Sequence, residues 1–195
     1  MIRPTLSEAV AALWVAGRLL RFDPVAWRSF DDTPETFWKS FWAALPVLPF
    51  YVVMVALHLR AVAATGQPLA AGELELLLIE GLAYVISWTA FPLVLFHLLG
   101  AIGKQRRFVP LVASLNWLNV PLAAIGTVAV LLAELQLFGA LSGPLRFGVQ
   151  IYVLVCLTRL VAHALDLRAF GAFAIVLLGV LIDYFLLFAT TATLI

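Results

Sequence analysis

Charged side chains are scarce in this chain. Of its 195 residues only 12% are charged and 64% are hydrophobic, and the mean hydropathy is +1.07. A soluble domain usually carries about 25% charged residues, so this chain has too few of them to cover a surface that faces water. The formal net charge of +1 and the lack of a basic block interleaved with aromatic residues predict no nucleic-acid partner.

The chain has a single cysteine, and it lacks the common sequence signatures of catalysis and secretion. The single cysteine, Cys156, lies in an apolar stretch and builds neither a disulfide framework nor a cysteine metal site. The motifs G-x-S-x-G, H-E-x-x-H and G-x-x-x-x-G-K do not occur. The N-terminal apolar segment is interrupted by Arg18 and Arg21, unlike a cleavable signal peptide. We therefore expect a protein that is not an enzyme and that needs no cofactor or metal.

Five long apolar stretches make up most of the chain. They cover residues 37–57, 76–99, 108–133, 147–165 and 171–193. A hydrocarbon core of about 30 Å needs about 20 helical residues, and each stretch meets or nearly meets that length. The sequence therefore predicts an all-α membrane protein in which residues 36–195 form a bundle of five transmembrane helices in contact with the lipid bilayer.

The sequence pattern of residues 1–35 predicts one or two amphipathic helices at the cytoplasmic face. The segment Thr5-Leu6-Ser7-Glu8 matches a capping box. Apolar positions then recur at helical spacing, at Leu6, Val10, Leu13, Gly17 and Leu20. Such a helix is typical of the inner headgroup layer, and packing on the cytoplasmic ends of the bundle fits the same pattern. A capping residue before Pro24 and before Pro34 predicts a short helix over about residues 24–30.

The distribution of positive charge predicts how the chain is oriented. If the N-terminus is cytoplasmic, all of the 12 lysine and arginine residues except Arg60 and Arg146 fall on the cytoplasmic side. The positive-inside rule favours this arrangement. Because the number of spans is odd, the C-terminus is then expected on the outside.

Charged residues within the predicted spans are the main candidates for function, because a charge in lipid costs at least about 2.5 kcal/mol. Glu80 could be a protonatable site on an ion or substrate path, the partner of Arg146, or an acid kept neutral by burial. Arg159 and Asp183 lie on consecutive antiparallel spans, so we expect them to approach each other. They would form either a buried ion pair that sets helix register or a proton or ion relay.

Two further pairs of polar residues fall in the spans. Asn116 and Asn119 share one helix face, and interhelical hydrogen bonds of about 1 kcal/mol or less are their expected use. His97 and His163 lie near the inner ends of their helices. They are either ordinary interfacial histidines or, as a weaker alternative, the ligands of a b-type haem.

Three segments carry a resemblance to a known family. These are LLRFDPVAWRSF at 19–30, SFWAALPVLPFYVV at 40–53 and LLGAIGKQRRFVPLVASLNWLNVPLAAIG at 98–126. Together with five spans and an outer C-terminus, they resemble the bacterial Yip1-like membrane proteins over most of the chain. The resemblance implies a five-span protein of the bacterial inner membrane. The Asp-Leu-Tyr-Gly-Pro motif of eukaryotic members is absent, so no functional residue of the family maps onto this sequence.

Two functional hypotheses follow. The first is a non-enzymatic scaffold or accessory protein that acts through helix–helix contacts with a membrane-protein partner or a second copy of itself. The alternative is a transporter or channel component with a polar path near Glu80, Arg159 and Asp183.

Overall fold

The computed structural model describes residues 2–64 and 72–194, apart from the side chains of residues 73 and 194. Within this part of the chain the regular structure is entirely helical. The α-helices are α1 (Leu6–Leu20), α2 (Pro34–Ser40), α3 (Ala44–Ala64), α4 (Glu73–Ala101), α5 (Phe108–Glu134), α6 (Ser142–Leu165) and α7 (Ala169–Leu194). Short 3-10 turns lie at Ala26–Ser29, Phe41–Ala43, Gln105–Arg107 and Gly139–Leu141.

Five segments of the described chain are long and apolar enough to cross a membrane, and they confirm the predicted all-α fold. They are Pro34–Ala64, Leu74–Ala101, Gln105–Glu134, Gly139–Leu165 and Ala169–Thr193. Large apolar side chains point away from the bundle, among them Leu77, Phe170 and Phe188, which are 70%, 85% and 72% exposed. Water would penalise such a surface, whereas lipid suits it. The protein is therefore an integral membrane protein.

The helix ends differ from the predicted ones in several places, and the first span ends at Ala64 rather than near 57. Helix α6 begins at Ser142 rather than near 147, because Pro144 is tolerated in a first helical turn. The helix predicted over residues 24–30 is only the 3-10 turn Ala26–Ser29, which has no side-chain cap. Thr33 does cap α2, accepting a hydrogen bond from the Thr36 N–H at 3.2 Å. Helix α2 continues through a 3-10 turn into α3, so the first span begins before residue 36.

Helix α5 lies at the centre of the bundle. It packs against α1, α2, α3 and α6, while α7 packs against α4 and α6. The core around it is apolar and nearly fully buried, and includes Leu95, Leu99, Leu111, Leu118 and Leu165 at 1% exposure or less. We call the end formed by connections 102–107 and 166–168 the basic end, and the end formed by connection 135–141 the far end.

Helix α1 has two apolar faces. Its capping box is confirmed, because the Thr5 N–H donates to Glu8 Oε2 at 2.7 Å and the Glu8 N–H donates to Thr5 Oγ1 at 3.3 Å. The face that packs on the bundle is made of Ala12, Val15, Ala16 and Leu19, which is not the face that the sequence indicated. The predicted apolar positions Leu6, Val10 and Leu13 stay exposed beside Trp14. Small side chains on the packed face allow close approach, and this leaves the larger ones outside.

Candidate functional site

A cavity of about 620 Å³ lies inside the bundle. All five spanning helices line it, over residues 47–61 of α3, 80–95 of α4, 112–134 of α5, 146–161 of α6 and 176–190 of α7. The cavity exists because α3 packs along α5 whereas α4 packs along α7. Each of these two pairs is tight within itself, and the space between the pairs remains open.

The cavity is closed toward the basic end and extends to the far end. Its deepest lining residues Leu95, Val112 and Val161 belong to the packed core and are at most 1% exposed. At the other extreme it reaches Glu134 and Arg146. From Val112 to Glu134 the cavity follows α5 for about 33 Å, at about 1.5 Å per residue.

Four of the five predicted site residues, Glu80, Asp183, Asn116 and Asn119, line this cavity. They lie at different depths. Asp183 is about 16 Å from the C-terminal end of α7, and Asn119 is about 22 Å from the C-terminal end of α5. The fifth residue, Arg159, does not line the cavity and faces the outside of the bundle near α1.

Glu80 is held by a tyrosine and not by an arginine. The Tyr51 hydroxyl lies 2.7 Å from Glu80 Oε2 and 3.2 Å from the Glu80 carbonyl oxygen. Tyr51 is on α3, directly across from Glu80 on α4, whereas Arg146 lies at the exposed start of α6. The predicted Glu80–Arg146 pair is therefore wrong within the described residues, because a neutral donor lies nearer to the carboxylate.

The expected approach of Arg159 and Asp183 is also wrong. The Arg159 guanidinium carbon lies 5.5 Å from the centroid of the Phe22 ring. Asp183 instead faces the cavity, where the structure gives its carboxylate no hydrogen bond or ion pair with any described residue. Helices α6 and α7 are neighbours, but the faces that carry Arg159 and Asp183 point in different directions.

The two asparagines have separate roles in the structure. Asn116 Nδ2 donates to Ser40 Oγ at 2.9 Å, and the Ser40 hydroxyl donates to the Phe37 carbonyl oxygen at 2.7 Å. This chain joins α5 to α2 and confirms the interhelical hydrogen bond predicted for Asn116. Asn119 is exposed in the cavity and forms no hydrogen bond to another described side chain.

Further polar residues complete the cavity wall. The Tyr84 hydroxyl donates to the Ala44 carbonyl oxygen of α3, and its ring lies 4.7 Å from the Tyr51 ring. His58 Nε2 lies 3.0 Å from Thr191 Oγ1 and links α3 to α7. The sequence analysis identified neither Tyr51 nor His58 as a site residue. Their spacing of seven residues places both on one face of α3, and this was the available signal.

The two inner histidines do not share a site. His97 is exposed on α4 beside Phe96, with ring centroids 5.5 Å apart. His163 lines a separate small cavity beside Arg159. This placement removes the geometric basis for ligation of one haem by both residues. Across residues 2–64 and 72–194, no group of three or more His, Cys, Asp or Glu is arranged to hold a metal ion.

The fold and the cavity together define a class, namely an integral membrane protein whose spanning helices surround a mainly apolar cavity that contains a few ionisable side chains. Comparisons of the chain with protein-family models, with curated proteins and with solved structures find no match. The Yip1-like resemblance therefore stays a prediction.

Proposed function

We propose that this protein binds a small polar or cationic solute in the cavity and passes it across the membrane, as a transporter or a channel component. The observation that carries the proposal is that Glu80, Asn119 and Asp183 line one cavity of about 620 Å³. Small-molecule sites commonly measure about 300–1,000 Å³. Ionisable residues inside a membrane-spanning bundle commonly mark solute or ion pathways.

The charges and rings of the cavity favour a cation. Among the residues that the structure describes, three acids line it, Glu80, Glu134 and Asp183, against a single arginine, Arg146. The aromatic side chains Tyr51, Tyr84, Trp88 and Phe91 form part of the wall. Aromatic faces attract cations through the ring quadrupole, so they add to the attraction of the carboxylates.

The closed inner end favours a transporter over an open channel. The cavity stops at the core residues Val112 and Val161, and passage of a solute requires these side chains to separate. Transporters that alternate between two conformations keep one side closed in this way.

We also propose the setting in which this function operates. The N-terminus is cytoplasmic, the cavity opens to the outside, and the protein belongs to a bacterial inner membrane as a Yip1-like member. Lys104, Arg106 and Arg107 at the basic end support this orientation, because cytoplasmic connections are rich in lysine and arginine.

Solvent access to the cavity is the first test. A Cys156→Ala background removes the one native thiol, which is 1% exposed. In that background, Asn119→Cys should react quickly with a charged, membrane-impermeant thiosulfonate added from the outside. The control is Val128→Cys on the same helix, which does not line the cavity, is 51% exposed and should face lipid. An Asn119→Cys protein as slow as this control would reject an aqueous cavity.

Cation flux is the second test, with the proton as the cation that is measured. Proteoliposomes that contain a trapped pH-sensitive dye should acidify faster than protein-free vesicles when a membrane potential drives cations inward. Asp183→Asn should reduce this rate to that of empty vesicles. Asp32→Asn is the matched control, since Asp32 is exposed in a connection and does not line the cavity. Equal rates for wild type and Asp183→Asn would reject the assigned path.

The scaffold function is the second candidate. The observation that favours it is an aromatic face on α7, where Tyr184, Phe185 and Phe188 are 63%, 69% and 72% exposed. Such a face suits contact with another membrane helix. In the Cys156→Ala background, Phe185→Cys should form disulfide-linked dimers in native membranes if a second copy binds there, and Val128→Cys should not. An absence of dimers and of co-purifying proteins would remove this candidate.

A further inference from the structure

We propose a second site, at the basic end, where Arg159, His163 and the indole N–H of Trp27 bind the phosphate group of an anionic lipid. This site is separate from the cavity that carries the proposed function, and it faces the outside of the bundle. It would tie the N-terminal helical segment to lipid of the cytoplasmic leaflet.

The site is a small cavity between α6 and the N-terminal segment. It has a volume of about 10 Å³ and is lined by Phe22 and Trp27 on one side and by Arg159 and His163 on the other. This is room for about one water molecule or one oxygen atom. Arg159 and His163 are four residues apart, so they share one face of α6, and both are exposed.

Among the described residues at this cavity, one buried donor lacks a hydrogen-bond partner and one exposed cation lacks an acidic partner. Trp27 is only 8% exposed, and its Nε1 has no hydrogen-bond partner among the described residues. Buried donors without a partner are rare and costly, so an acceptor is expected there. Arg159 has no carboxylate partner in the described part of the chain, and its guanidinium rests over the Phe22 ring. An oxyanion satisfies both groups, because it accepts charge-assisted hydrogen bonds.

The surrounding charges favour an anion. The acid that borders the cavity is Asp23, and its Oδ2 already lies 2.7 Å from Arg18 Nη2. The guanidinium carbons of Arg28 and Arg107 lie 5.5 Å and 5.6 Å from the centroid of the Trp27 ring. Asp23 is therefore neutralised by Arg18, and Arg107 is paired with Asp166, whose Oδ2 lies 2.7 Å from Arg107 Nη2. Arg28 and Arg159 remain and leave the site positive.

The position of the site along the bundle favours a lipid over a soluble ion. Arg159 lies about 9 Å from the inner end of α6. Helices α4 and α5 contain 29 and 27 residues, so at about 43 Å and 40 Å they exceed a hydrocarbon core of about 30 Å. The excess length places at least one end of each helix in the headgroup layer, and Lys104, Arg106 and Arg107 favour the basic end for this position. Basic pockets at this level bind anionic headgroups.

Helix α1 supports the same placement. The Tyr152 hydroxyl of α6 donates to the Leu20 carbonyl oxygen at 2.8 Å. Phe22, two residues beyond α1, lies under the Arg159 guanidinium, so the chain that leaves α1 runs along α6 from Tyr152 to Arg159. The exposed apolar side chains of α1, including Val10 and Trp14, then suit the lipid layer at this level. A lipid with its phosphate at Arg159 would place its acyl chains beside the spanning helices.

The test measures lipid selectivity of the full-length protein in phosphatidylcholine vesicles. Electron paramagnetic resonance of spin-labelled phosphatidylglycerol and phosphatidylcholine reports how strongly each lipid associates with the protein. Wild type should prefer phosphatidylglycerol, and Arg159→Gln should lower that preference about fivefold, the effect of one arginine near an anionic headgroup. The matched control is Arg106→Gln, an exposed arginine of the basic end that does not line the site.

Two further arms identify the ligand and guard against misfolding. Trp27→Phe keeps the aromatic ring, removes the N–H and should also lower the preference, while Arg159→Lys keeps the charge and should retain most of it. Inorganic phosphate at matched ionic strength should leave the preference unchanged. Loss of the preference with phosphate would assign the site to a soluble anion and overturn the lipid assignment. Equal preference in wild type, Arg159→Gln and Trp27→Phe would overturn the site.

Discussion

The Tyr51 hydroxyl donates a hydrogen bond to Glu80 Oε2 at 2.7 Å and so joins α3 to α4 across the cavity. These two consecutive spans otherwise pack on different partners, α3 on α5 and α4 on α7. The Tyr84 ring of α4 lies 4.7 Å from the Tyr51 ring, at an interplanar angle of 47°. One wall of the cavity therefore depends on the polar cluster of Tyr51, Tyr84 and Glu80. Glu80 is also one of the acids among the described residues that line the cavity.

Tyr51→Phe should lower the stability of the bundle. It removes one hydrogen bond to a carboxylate, and such bonds contribute about 1.5–3 kcal/mol. Thermal unfolding in detergent should show a lower midpoint than wild type. Glu80→Gln should lower the unfolding midpoint less than Tyr51→Phe does, because the amide oxygen of glutamine still accepts a hydrogen bond from the Tyr51 hydroxyl. A Tyr51→Phe protein with the wild-type midpoint would show that the bond contributes nothing.

Gly179→Ala should disturb the cavity wall. A Cβ atom at residue 179 would lie 3.1 Å from the Phe91 ring, so the ring must move or the helices must separate. Overpacking of this kind costs about 1–3 kcal/mol. The control is Gly126→Ala on α5, where nothing lies within 4 Å of the added Cβ. It should be neutral or stabilising, by up to about 1 kcal/mol. Equal midpoints for both variants would contradict the close contact.

Asn116 and Ser40 should show coupled energies. Their hydrogen bond is buried, since the two residues are 7% and 1% exposed. Double-mutant cycles in membrane helices give about 0.6 kcal/mol for such bonds, with a maximum of about 1.7 kcal/mol. The cycle uses Asn116→Ala, Ser40→Ala and the double variant, measured by unfolding in detergent. Strict additivity of the two single effects would mean that the bond is not formed.

The attachment of α1 should weaken in acid. The pKa of Glu8 is lowered to about 2 by the ammonium group of Lys39 and by hydrogen bonds from Thr5. A lowered folded-state pKa stabilises the fold above the ordinary value of about 4.5, and this stabilisation is lost as the pH falls toward about 2. The pKa of Asp23 is lowered as well, by the Val25 N–H and by Arg18. Protonation of Asp23 in acid therefore also lowers the stability of the fold.

Unfolding midpoints measured between pH 6 and pH 3 check this dependence. Wild type should lose stability over that range, and Glu8→Gln should lose less because its side chain does not titrate. The further substitution Asp23→Asn should flatten the profile again. Because Glu8 and Lys39 lie at the surface, high salt should reduce the wild-type dependence. Identical profiles for wild type and Glu8→Gln would contradict the role of the pair.

The orientation can be measured with single cysteines in the Cys156→Ala background. Arg106→Cys at the basic end should be labelled by an impermeant reagent only after the membrane is opened. Gln136→Cys, in connection 135–141 at the far end, should be labelled in intact cells. Both residues are exposed. Labelling of the two positions from the same side would contradict the spanning arrangement of α5.

Local properties of the chain explain what could be predicted. The length and apolar content of a segment decide whether it can span lipid, so the five spans were readable from the sequence. Caps are local as well, and the capping box at Thr5 and the start of α2 at Thr33 are both present. Helix α6 ends at the left-handed residue Asp166, with φ of 46°, within the gap between the last two predicted stretches, 147–165 and 171–193.

The faces of the spanning helices could not be predicted, and the error over Arg159 and Asp183 is an error of face. In a soluble protein the apolar stripe of a helix marks the side that packs. Here lipid and protein both accept apolar side chains, so the spanning helices are apolar all round and no stripe marks the packed side. This is why Asp183 turned out to face the cavity while Arg159 faces α1.

The sequence by itself determined that the chain is an integral membrane protein with five spanning helices. It also determined which polar residues lie within those spans. Only the tertiary structure decided that four of those residues line one cavity and that Glu80 is bound by Tyr51. The reason is physical. Insertion into lipid depends on composition along the chain, whereas the partners of a buried polar group depend on how the helices rotate and pack.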